Sequence, residues 1–514
     1  MKKTIVSLLT LALILTGCQK ENQMQIYHTG QKDVIMIMVD SMTGDLIRES
    51  LKTDDFPALQ FLIGNGQQYD NLVAPFPTMS VVIESTLLTG DMPDKHHIPG
   101  LTWYNSEEDR LIDYGTSIET VRKLGFEPTS KDALYNLNNI HLSPKSKTIF
   151  ENLQEKRITT GAVNTLVYRG KTTHVLEVPE YIHHPTGIPG TLKTLGPDLL
   201  AFGIFHHPEE LKNEILPDSL PLRAGFTDNY ASDVIIRLIK KDIKPQLLLA
   251  FFPEMDKITH RNGPLDVENF KEVDIHLQNI LNTYGDWNQA LEQNIFILFG
   301  DHGQDGLLED EDKMKVNLHK ILRDYKIAPF DEKPSSGELV ISNNHRMAYI
   351  TAIKSDIAFE ELAHTALKDN RIALASSIKE DWIIVWDDKQ RRFRFKEGGK
   401  WTDSYGQTWT IDGDPNVLNL KIDGKLIEYT EYPDALNNLK SALKSHPNSM
   451  VVAAKPGHII YFETAPIHNG GGEHGGLHKN DTLSALIIAG TDKKPKHLRI
   501  VDLKEYVLSL FDHL

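Results

Sequence analysis

Three short apolar runs constrain the fold of this chain more than any other feature. They span residues 34–39, 247–252 and 295–299, and polar or turn residues bound each of them. Each run is short for a helix and does not alternate with polar residues, so it is typical of a strand that is buried on both faces of a parallel sheet. We therefore predict an α/β fold in which helices flank a mainly parallel sheet.

An aspartate follows each of these runs. Asp40 and Asp301 come directly or almost directly after the first and third runs, and Asp256 follows the second. In an open parallel sheet, ligands bind outside the carboxyl ends of the strands. A single aspartate at such a position is usually a turn residue or a helix cap. Three of them at one edge predict a binding site.

Two of these aspartates have a histidine nearby in the sequence. His260 follows Asp256 by four residues, so one helical turn places both side chains on the same face. His302 directly follows Asp301 within the glycine-flanked segment 300–303, where glycine allows the backbone to aim neighbouring side chains at one point. Both pairs are therefore predicted to bind cations.

Two further candidate residues lie outside these runs. His474 is in a glycine-rich loop, in which His468 and His478 are the alternatives. Ser80 lies in segment 77–90, which we interpret as a loop that enters a helix. A helix N-terminus suits a phosphate group, although a serine there can also be only an N-cap. With cations nearby, the Ser80 hydroxyl can ionise and act as a nucleophile.

Segment 77–90 resembles the nucleophile segment of the type I phosphodiesterase/nucleotide pyrophosphatase family, within the alkaline phosphatase superfamily. Pro93 and His96 follow in register. The resemblance implies an alkaline-phosphatase-like core with two divalent metal ions, for which mixed carboxylate and imidazole ligands favour Zn²⁺. It assigns to the first ion Asp40, Ser80, Asp301 and His302, and to the second ion Asp256, His260 and His474.

The activity that the resemblance implies is hydrolysis of phosphodiester or pyrophosphate bonds through a phosphoseryl intermediate. Two departures leave alternatives open. Ser80 stands where the family usually has threonine, and Ile83 stands three residues later where the family has an asparagine that contacts phosphate. Asn105 is a candidate replacement for that substrate contact. A phosphomonoesterase, a phosphonate hydrolase and a lipid-anchored binding protein without catalysis are the competing functions.

The N-terminus resembles a bacterial lipoprotein signal peptide, spanning residues 1–18. Lys2 and Lys3 precede an apolar stretch that is shorter than the roughly 20 residues needed to span a bilayer. Cys18 is the only cysteine in the chain, which excludes intrachain disulfides and makes it the predicted lipidation site. Residues 19–32 would be a tether. We therefore expect a lipid-anchored protein outside the cytoplasm, at the cell membrane.

The rest of the chain divides into segments that differ in their pattern of apolar and aromatic residues. We predict a catalytic core formed by residues 33–372 and 449–514, with an inserted β-rich cap at 373–448, where aromatic residues alternate in short runs. The net charge of −16 makes nonspecific nucleic-acid binding unfavourable. A phosphoester substrate remains compatible with this charge, because two bound cations reverse the local field. No sequence pattern indicates an oligomeric state.

Overall fold

The computed structural model describes residues 31–354 and 356–512. Most of these residues lie in strands and helices. The predicted signal peptide, Cys18 and all but the end of the predicted tether lie outside the described residues. Within the described ranges, no helix has both the length and the apolar character needed to cross a membrane.

The described strands are β1 Asp33–Val39, β2 Gly66–Val73, β3 Thr102–Asn105, β4 Arg110–Asp113, β5 Thr160–Val163, β6 Thr172–Glu177, β7 Thr191–Gly196, β8 Leu199–Ala201, β9 Leu247–Phe252, β10 Asn294–Gly300, β11 Asp305–Gly306, β12 Lys315–Asn317, β13 Leu339–Asn344, β14 Met347–Ala352, β15 Ile372–Lys379, β16 Trp382–Asp387, β17 Arg392–Asp403, β18 Thr408–Gly413, β19 Lys421–Asp423, β20 Leu426–Glu428, β21 Ser449–Ala454, β22 Ile459–Tyr461, β23 Gly472–Glu473 and β24 Leu483–Ala489.

The described α-helices are α1 Gly44–Ser50, α2 Pro57–Gly64, α3 Ser80–Thr89, α4 Pro93–His96, α5 Ile118–Leu124, α6 Phe126–Lys131, α7 Ile149–Glu155, α8 Glu180–Thr186, α9 Asp228–Lys240, α10 Glu254–Asn262, α11 Val267–Asn282, α12 Trp287–Gln293, α13 Glu311–Met314, α14 Leu318–Ile321, α15 Phe359–Ala366, α16 Ala435–Ser445, α17 Lys479–Thr482 and α18 Ile500–Leu510. A π-helix spans Asp132–His141 between α6 and α7.

The main sheet has seven strands in the order β2-β24-β10-β1-β9-β5-β8. Strands β10, β1, β9, β5 and β8 run parallel, and only β24 runs antiparallel to its two neighbours. The three apolar runs are the adjacent central strands β10, β1 and β9. The predicted α/β class with a mainly parallel sheet is therefore confirmed.

Two hydrophobic cores cover the two faces of this sheet. In β1, Met36 and Met38 belong to one core, with side chains of α3, α7 and α18. Ile35 and Ile37 belong to the other, with side chains of α1, α2, α9 and α11. Burial on both faces explains why these strands read as continuous apolar runs.

A second, largely antiparallel sheet has the order β13-β14-β21-β15-β16-β17-β20-β19, with β18 paired to β17. Its two faces are covered by cores that include side chains of α15 and α16. Phe393, Phe395 and Trp409 are buried there. The predicted cap, 373–448, covers only part of this sheet, since β13, β14 and β21 pair with it from outside that range. An apolar run such as β21 does not reveal from sequence which sheet it joins.

Candidate metal centre and nucleophile

The three aspartates lie together at the carboxyl edge of the main sheet. Asp40 directly follows β1, Asp301 directly follows β10, and Asp256 lies in the first turn of α10, just beyond β9. The ends of these parallel neighbours are joined by hydrogen bonds. The Asp40 N–H donates to the Phe252 carbonyl at 3.0 Å, and the Ser41 N–H donates to Asp301 Oδ1 at 3.0 Å.

The first donor set consists of Asp40, Asp301 and His302. His302 Nε2 lies 3.5 Å from Asp40 Oδ1 and 3.5 Å from Asp301 Oδ2. All three residues are buried. Asp301 Oδ2 and His302 Nε2 have no hydrogen-bond partner among the residues that the structure describes. Buried polar atoms without partners are costly, and a cation between these donors would satisfy both. The set therefore fits a metal ion.

The electrostatics of the first set favour the same conclusion. Burial raises the pKa of Asp301 to about 6. Burial and the negative charges of Asp301 and Asp256 raise the pKa of Asp40 well above its usual range. Carboxylates that repel one another in a buried site are stabilised by a positive ion, which reverses the direction of such shifts.

The second donor set consists of Asp256, His260 and His474. Asp256 Oδ1 lies 3.1 Å from His260 Nε2 and 3.6 Å from His474 Nε2. Helix α10 contains Asp256 and His260, so their four-residue spacing places them on one face as expected. The two sets adjoin, because the rings of His302 and His474 stack with centroids 3.9 Å apart. The structure thus brings all six predicted aspartates and histidines together.

The backbone fixes which nitrogen of each predicted histidine ligand faces the centre. The Nδ1 atoms of His302, His260 and His474 each lie within hydrogen-bond distance of a backbone carbonyl, at 3.0, 2.8 and 2.6 Å respectively. A carbonyl only accepts, so each Nδ1 carries the proton and donates it. Each Nε2 is then free to bind a cation. Such backbone partners commonly orient metal-binding imidazoles.

The glycine-rich loop resolves the choice among its three histidines by position. His474 is the one that lies beside Asp256. His468 contacts His260, with ring centroids 4.2 Å apart, and pairs with Glu473, whereas His478 pairs with Glu431. His96, which follows the nucleophile segment, is buried and bonded to the Thr86 hydroxyl at 3.0 Å.

Ser80 is the first residue of α3, and Met79 is the N-cap. The alternative that Ser80 serves only as the N-cap of this helix is therefore wrong. Its hydroxyl has no hydrogen-bond partner within the described residues. Thr78 ties the segment to the glycine-rich loop, because its carbonyl accepts from His474 Nδ1 and its hydroxyl accepts from the Gly475 N–H at 2.8 Å. These bonds hold the start of α3 beside the second donor set.

Ile83 and Asn105, the two positions that concern the missing phosphate contact, have surroundings that a structural role explains. Ile83 is completely buried in the core under α3, so a side chain at this position faces away from solvent. The Asn105 oxygen accepts from the N–H groups of Glu107 and Glu108, and its amide donates to the Glu108 side chain. Within the described residues, every side-chain hydrogen bond of Asn105 is thus made to residues 107 and 108, and the substrate contact stays a prediction.

The sequence analysis missed Gln304 and Ser41, two residues that contact the predicted ligands. Gln304 Nε2 donates to Asp256 Oδ1 at 2.7 Å and to Ser41 Oγ at 2.8 Å. The Ser41 hydroxyl in turn lies 3.3 Å from Asp40 Oδ1. These contacts link the two donor sets. The only available signal was proximity in sequence, because each residue lies within three positions of a predicted ligand.

The fold and this centre define a member of the alkaline phosphatase superfamily. Residues 34–393 match the family model described as "Type I phosphodiesterase / nucleotide pyrophosphatase". The chain belongs to this family, and it is thereby a member of a family of hydrolases, as the resemblance predicted. Metal dependence is general in the family, and the described residues contain clustered potential metal ligands.

The chain is also similar to solved structures and to one curated protein. Murine ectonucleotide pyrophosphatase/phosphodiesterase 5 (ENPP5) matches with a TM-score of 0.55 and 13% identity over 94% of this chain and 95% of that chain. Human ENPP5 matches over the same shares with a TM-score of 0.53 and 13% identity. These identities show the fold alone. Alkaline phosphatase PafA of Elizabethkingia meningoseptica is 27% identical over 125 residues, 24% of this chain. The chain spans only 22% of the length of that relative.

Proposed function

We propose that this protein hydrolyses phosphodiester or pyrophosphate bonds, with Ser80 as the nucleophile. The observation that carries the proposal is the contact between the two donor sets, together with the Thr78 bonds that hold the start of α3, at Ser80, next to His474. Asp40, Asp301 and His302 would hold one divalent cation together with Ser80, and Asp256, His260 and His474 would hold the other. The donor set of carboxylates and imidazoles favours zinc over magnesium or calcium.

The reaction would proceed as a double displacement. When bound, the two cations would lower the pKa of the Ser80 hydroxyl and stabilise the departing oxygen. Ser80 Oγ would attack phosphorus and form a phosphoseryl bond while the ester oxygen leaves. Water would then cleave that bond and return the proton to Ser80. The N-terminus of α3, where Ser80 lies, offers N–H groups and a positive dipole end to the phosphate.

The test uses the soluble chain from Gln19 onward, loaded with zinc. An aryl phosphate diester, an aryl ester of a nucleotide monophosphate and an aryl phosphate monoester are offered to this protein and to Ser80→Ala. We expect turnover of the diester or of the nucleotide ester that disappears in Ser80→Ala, and a phosphorylated Ser80 trapped by rapid acid quench. Turnover that survives in Ser80→Ala would contradict the proposed nucleophile.

Hydrolysis of phosphate monoesters is the second candidate function. It is favoured by the similarity of 125 residues to a protein named as an alkaline phosphatase. A higher kcat/KM for the monoester than for both diesters would support it. Metal retention without turnover of any of the three esters would instead support a phosphonate substrate or a binding role.

We also propose that the mature protein is anchored through Cys18 on the outer side of a membrane. The support is the position of the only cysteine directly after an apolar, lysine-led N-terminus. Labelled fatty acid should be incorporated into the native chain and not into Cys18→Ser. The same substitution should move the protein from the membrane fraction to a soluble one, or block its processing.

A further inference from the structure

The turn between β13 and β14 has a histidine where the backbone favours glycine. His345 is the first residue of this two-residue hairpin turn, and its φ is +58°. A positive φ is uncommon for any residue other than glycine, although asparagine, aspartate and histidine adopt it more often than the rest, and hairpin turns of this length usually contain glycine, asparagine or aspartate. Such outliers tend to lie at functional sites, where the surroundings hold them in place.

The surroundings of His345 do hold it in place. The His345 carbonyl accepts from the Ile460 N–H at 3.0 Å, and the N–H of the next residue, Arg346, donates to the His474 carbonyl at 3.1 Å. The Arg346 guanidinium is completely buried and pairs with Asp481 at 2.7 Å. The turn is thereby bonded directly to the residue that we assign to the second metal ion.

A buried carboxylate sets the orientation of the His345 ring. Glu473 is completely buried, and its Oε1 lies 2.6 Å from His345 Nδ1. Its other oxygen lies 2.9 Å from His468 Nδ1. His345 Nδ1 therefore donates its proton to Glu473, and Nε2 has no partner within the described residues. A carboxylate bonded to Nδ1 is a common way to orient a metal-binding imidazole and to increase its basicity.

His345 also lies close to two members of the second set, His260 and His474. One donor atom each from His260, His345, Glu473 and His474 all fall within 4.8 Å of one another. The ring of His345 stacks with that of His474 at a centroid distance of 5.2 Å and with that of His260 at 6.0 Å. Three imidazoles with engaged Nδ1 atoms thus meet at one place.

We propose that His345 is a further ligand of the second metal ion, through Nε2. His260, His345 and His474 would then bind this ion together with Asp256, and Glu473 would hold His345 in position. The inference rests on the proposed two-metal centre. Three imidazoles and a carboxylate suit zinc, and zinc can expand to five ligands, which leaves one position for the substrate oxygen.

The experiment counts bound metal in the soluble chain from Gln19 onward. Wild type, His345→Asn and His97→Asn are stripped with a chelator, reloaded with zinc and titrated against a chromophoric competitor. Asparagine tolerates the left-handed backbone at position 345. His97 is the matched control, because it is an exposed histidine with φ of +68° outside the centre.

We expect two zinc ions in wild type and in His97→Asn. In His345→Asn, one ion should remain tightly bound while the affinity for the other falls by about 10- to 100-fold, the range seen when a supporting residue of a metal site is lost. Glu473→Gln leaves the turn intact and should weaken the same ion, which provides a second test if His345→Asn folds poorly. With cobalt in place of zinc, His345→Asn should lose one shifted imidazole proton signal.

The outcomes separate this inference from the function on which it rests. Two tightly bound ions and an unchanged cobalt spectrum in His345→Asn would overturn the role of His345 and leave the two-metal centre intact. No tight zinc binding by wild type would overturn the proposed function itself. Equal weakening in His97→Asn and His345→Asn would also refute the inference, because it would show a general effect of removing a histidine.

Discussion

Two buried carboxylates, one in each sheet region, differ in how their oxygens are satisfied. Asp403, at the end of β17 in the second sheet, accepts four hydrogen bonds between 2.8 and 2.9 Å, from Tyr405, Gln407, Trp409 and Tyr429. Asp301, at the edge of the main sheet, accepts two backbone bonds on Oδ1, and its Oδ2 has no hydrogen-bond partner within residues 31–354 and 356–512.

The difference separates a structural carboxylate from one that the protein leaves to a ligand. Neutral donors of the protein satisfy both oxygens of Asp403, so this side chain stabilises the fold. Asp301 lies near Asp40 and Asp256, which makes a full negative charge there unfavourable without a cation. The edge of the main sheet thus contains a carboxylate that is unfavourable until a cation binds, whereas Asp403 in the second sheet needs no ligand.

The largest expected effect is the loss of activity on removal of the nucleophile, Ser80, without a matching loss of stability. We expect Ser80→Ala to lower kcat by about 10³-fold or more, since removal of a nucleophile usually costs at least this much. Its stability in the metal-free state should stay near that of wild type, because the Ser80 hydroxyl bonds no other group among the described residues. Ser80→Thr keeps a hydroxyl and is the matched control, in which measurable turnover should persist. Equal loss of activity in both variants would show that position 80 tolerates no change for reasons of packing.

Arg346, in the turn between β13 and β14, is a charged residue through which the second sheet contacts the edge of the main one. Its guanidinium pairs with Asp481 at 2.7 Å and with Asp305 at 3.0 Å. We expect Arg346→Gln to lower the free energy of unfolding by about 3–5 kcal/mol, because it leaves buried carboxylates without a counter-charge.

Arg394→Gln is the control for this substitution. Arg394 and its partner Asp412 have side chains that are both more than a third exposed, so the loss of this pair should cost about 1 kcal/mol or less in denaturant unfolding. Similar costs for the two arginines would remove the distinction between a buried anchor and a surface pair.

The two carboxylates themselves allow a crossed test. Asp301→Asn should lower zinc content and reduce activity by about 10²-fold, a loss comparable to that of one transition-state contact, without destabilising the metal-free protein. Asp403→Asn should keep zinc and activity near wild type and lower the free energy of unfolding by about 2 kcal/mol, because it weakens hydrogen bonds to a charged group. Metal analysis, kinetics and urea unfolding on the same preparations measure both effects.

The crossed test fails in a recognisable way. If Asp403→Asn lost metal and Asp301→Asn lost stability, the assignment of function to one sheet and structure to the other would be reversed. Loss of both properties in both variants would indicate that the two sheets depend on each other for folding.

The main sheet and most of its site could be predicted from sequence because the relevant signals are local. The runs that became β1, β9 and β10 are continuously apolar, and each is followed by an aspartate. The four-residue spacing of Asp256 and His260 is a property of one helix. These features need no knowledge of distant contacts.

The second sheet and its contributions to the centre depend on contacts between distant segments. Strand β21 pairs with β14 and β15, and nothing in its apolar sequence selects those partners. His345 is brought to the centre by a hairpin turn, more than 120 residues before its partner Glu473. Gln304 and Ser41 look like ordinary polar residues, and only the folded chain shows that they connect the donor sets.

The smallest expected effect concerns the pH dependence of Asp301 in the metal-free protein. Burial raises the pKa of this carboxyl to about 6 in the folded state, whereas an unfolded aspartate titrates near pH 3.9. Between these values the folded state binds more protons than the unfolded state, so this group lowers the free energy of unfolding as pH rises. Asp301→Asn lacks the group and keeps an oxygen for the backbone donors.

The stability of Asp301→Asn relative to wild type should therefore increase by about 2 kcal/mol from pH 4 to pH 6 and then level off. Urea unfolding in the presence of chelator at pH 4, 5, 6 and 7 measures this difference, and taking the difference cancels the titration of groups that lie far from Asp301. A constant difference across the range would mean that the Asp301 pKa is not raised. Zinc should reverse the sign, because a bound cation favours the ionised carboxylate, so that zinc-loaded wild type gains stability as pH rises through this window.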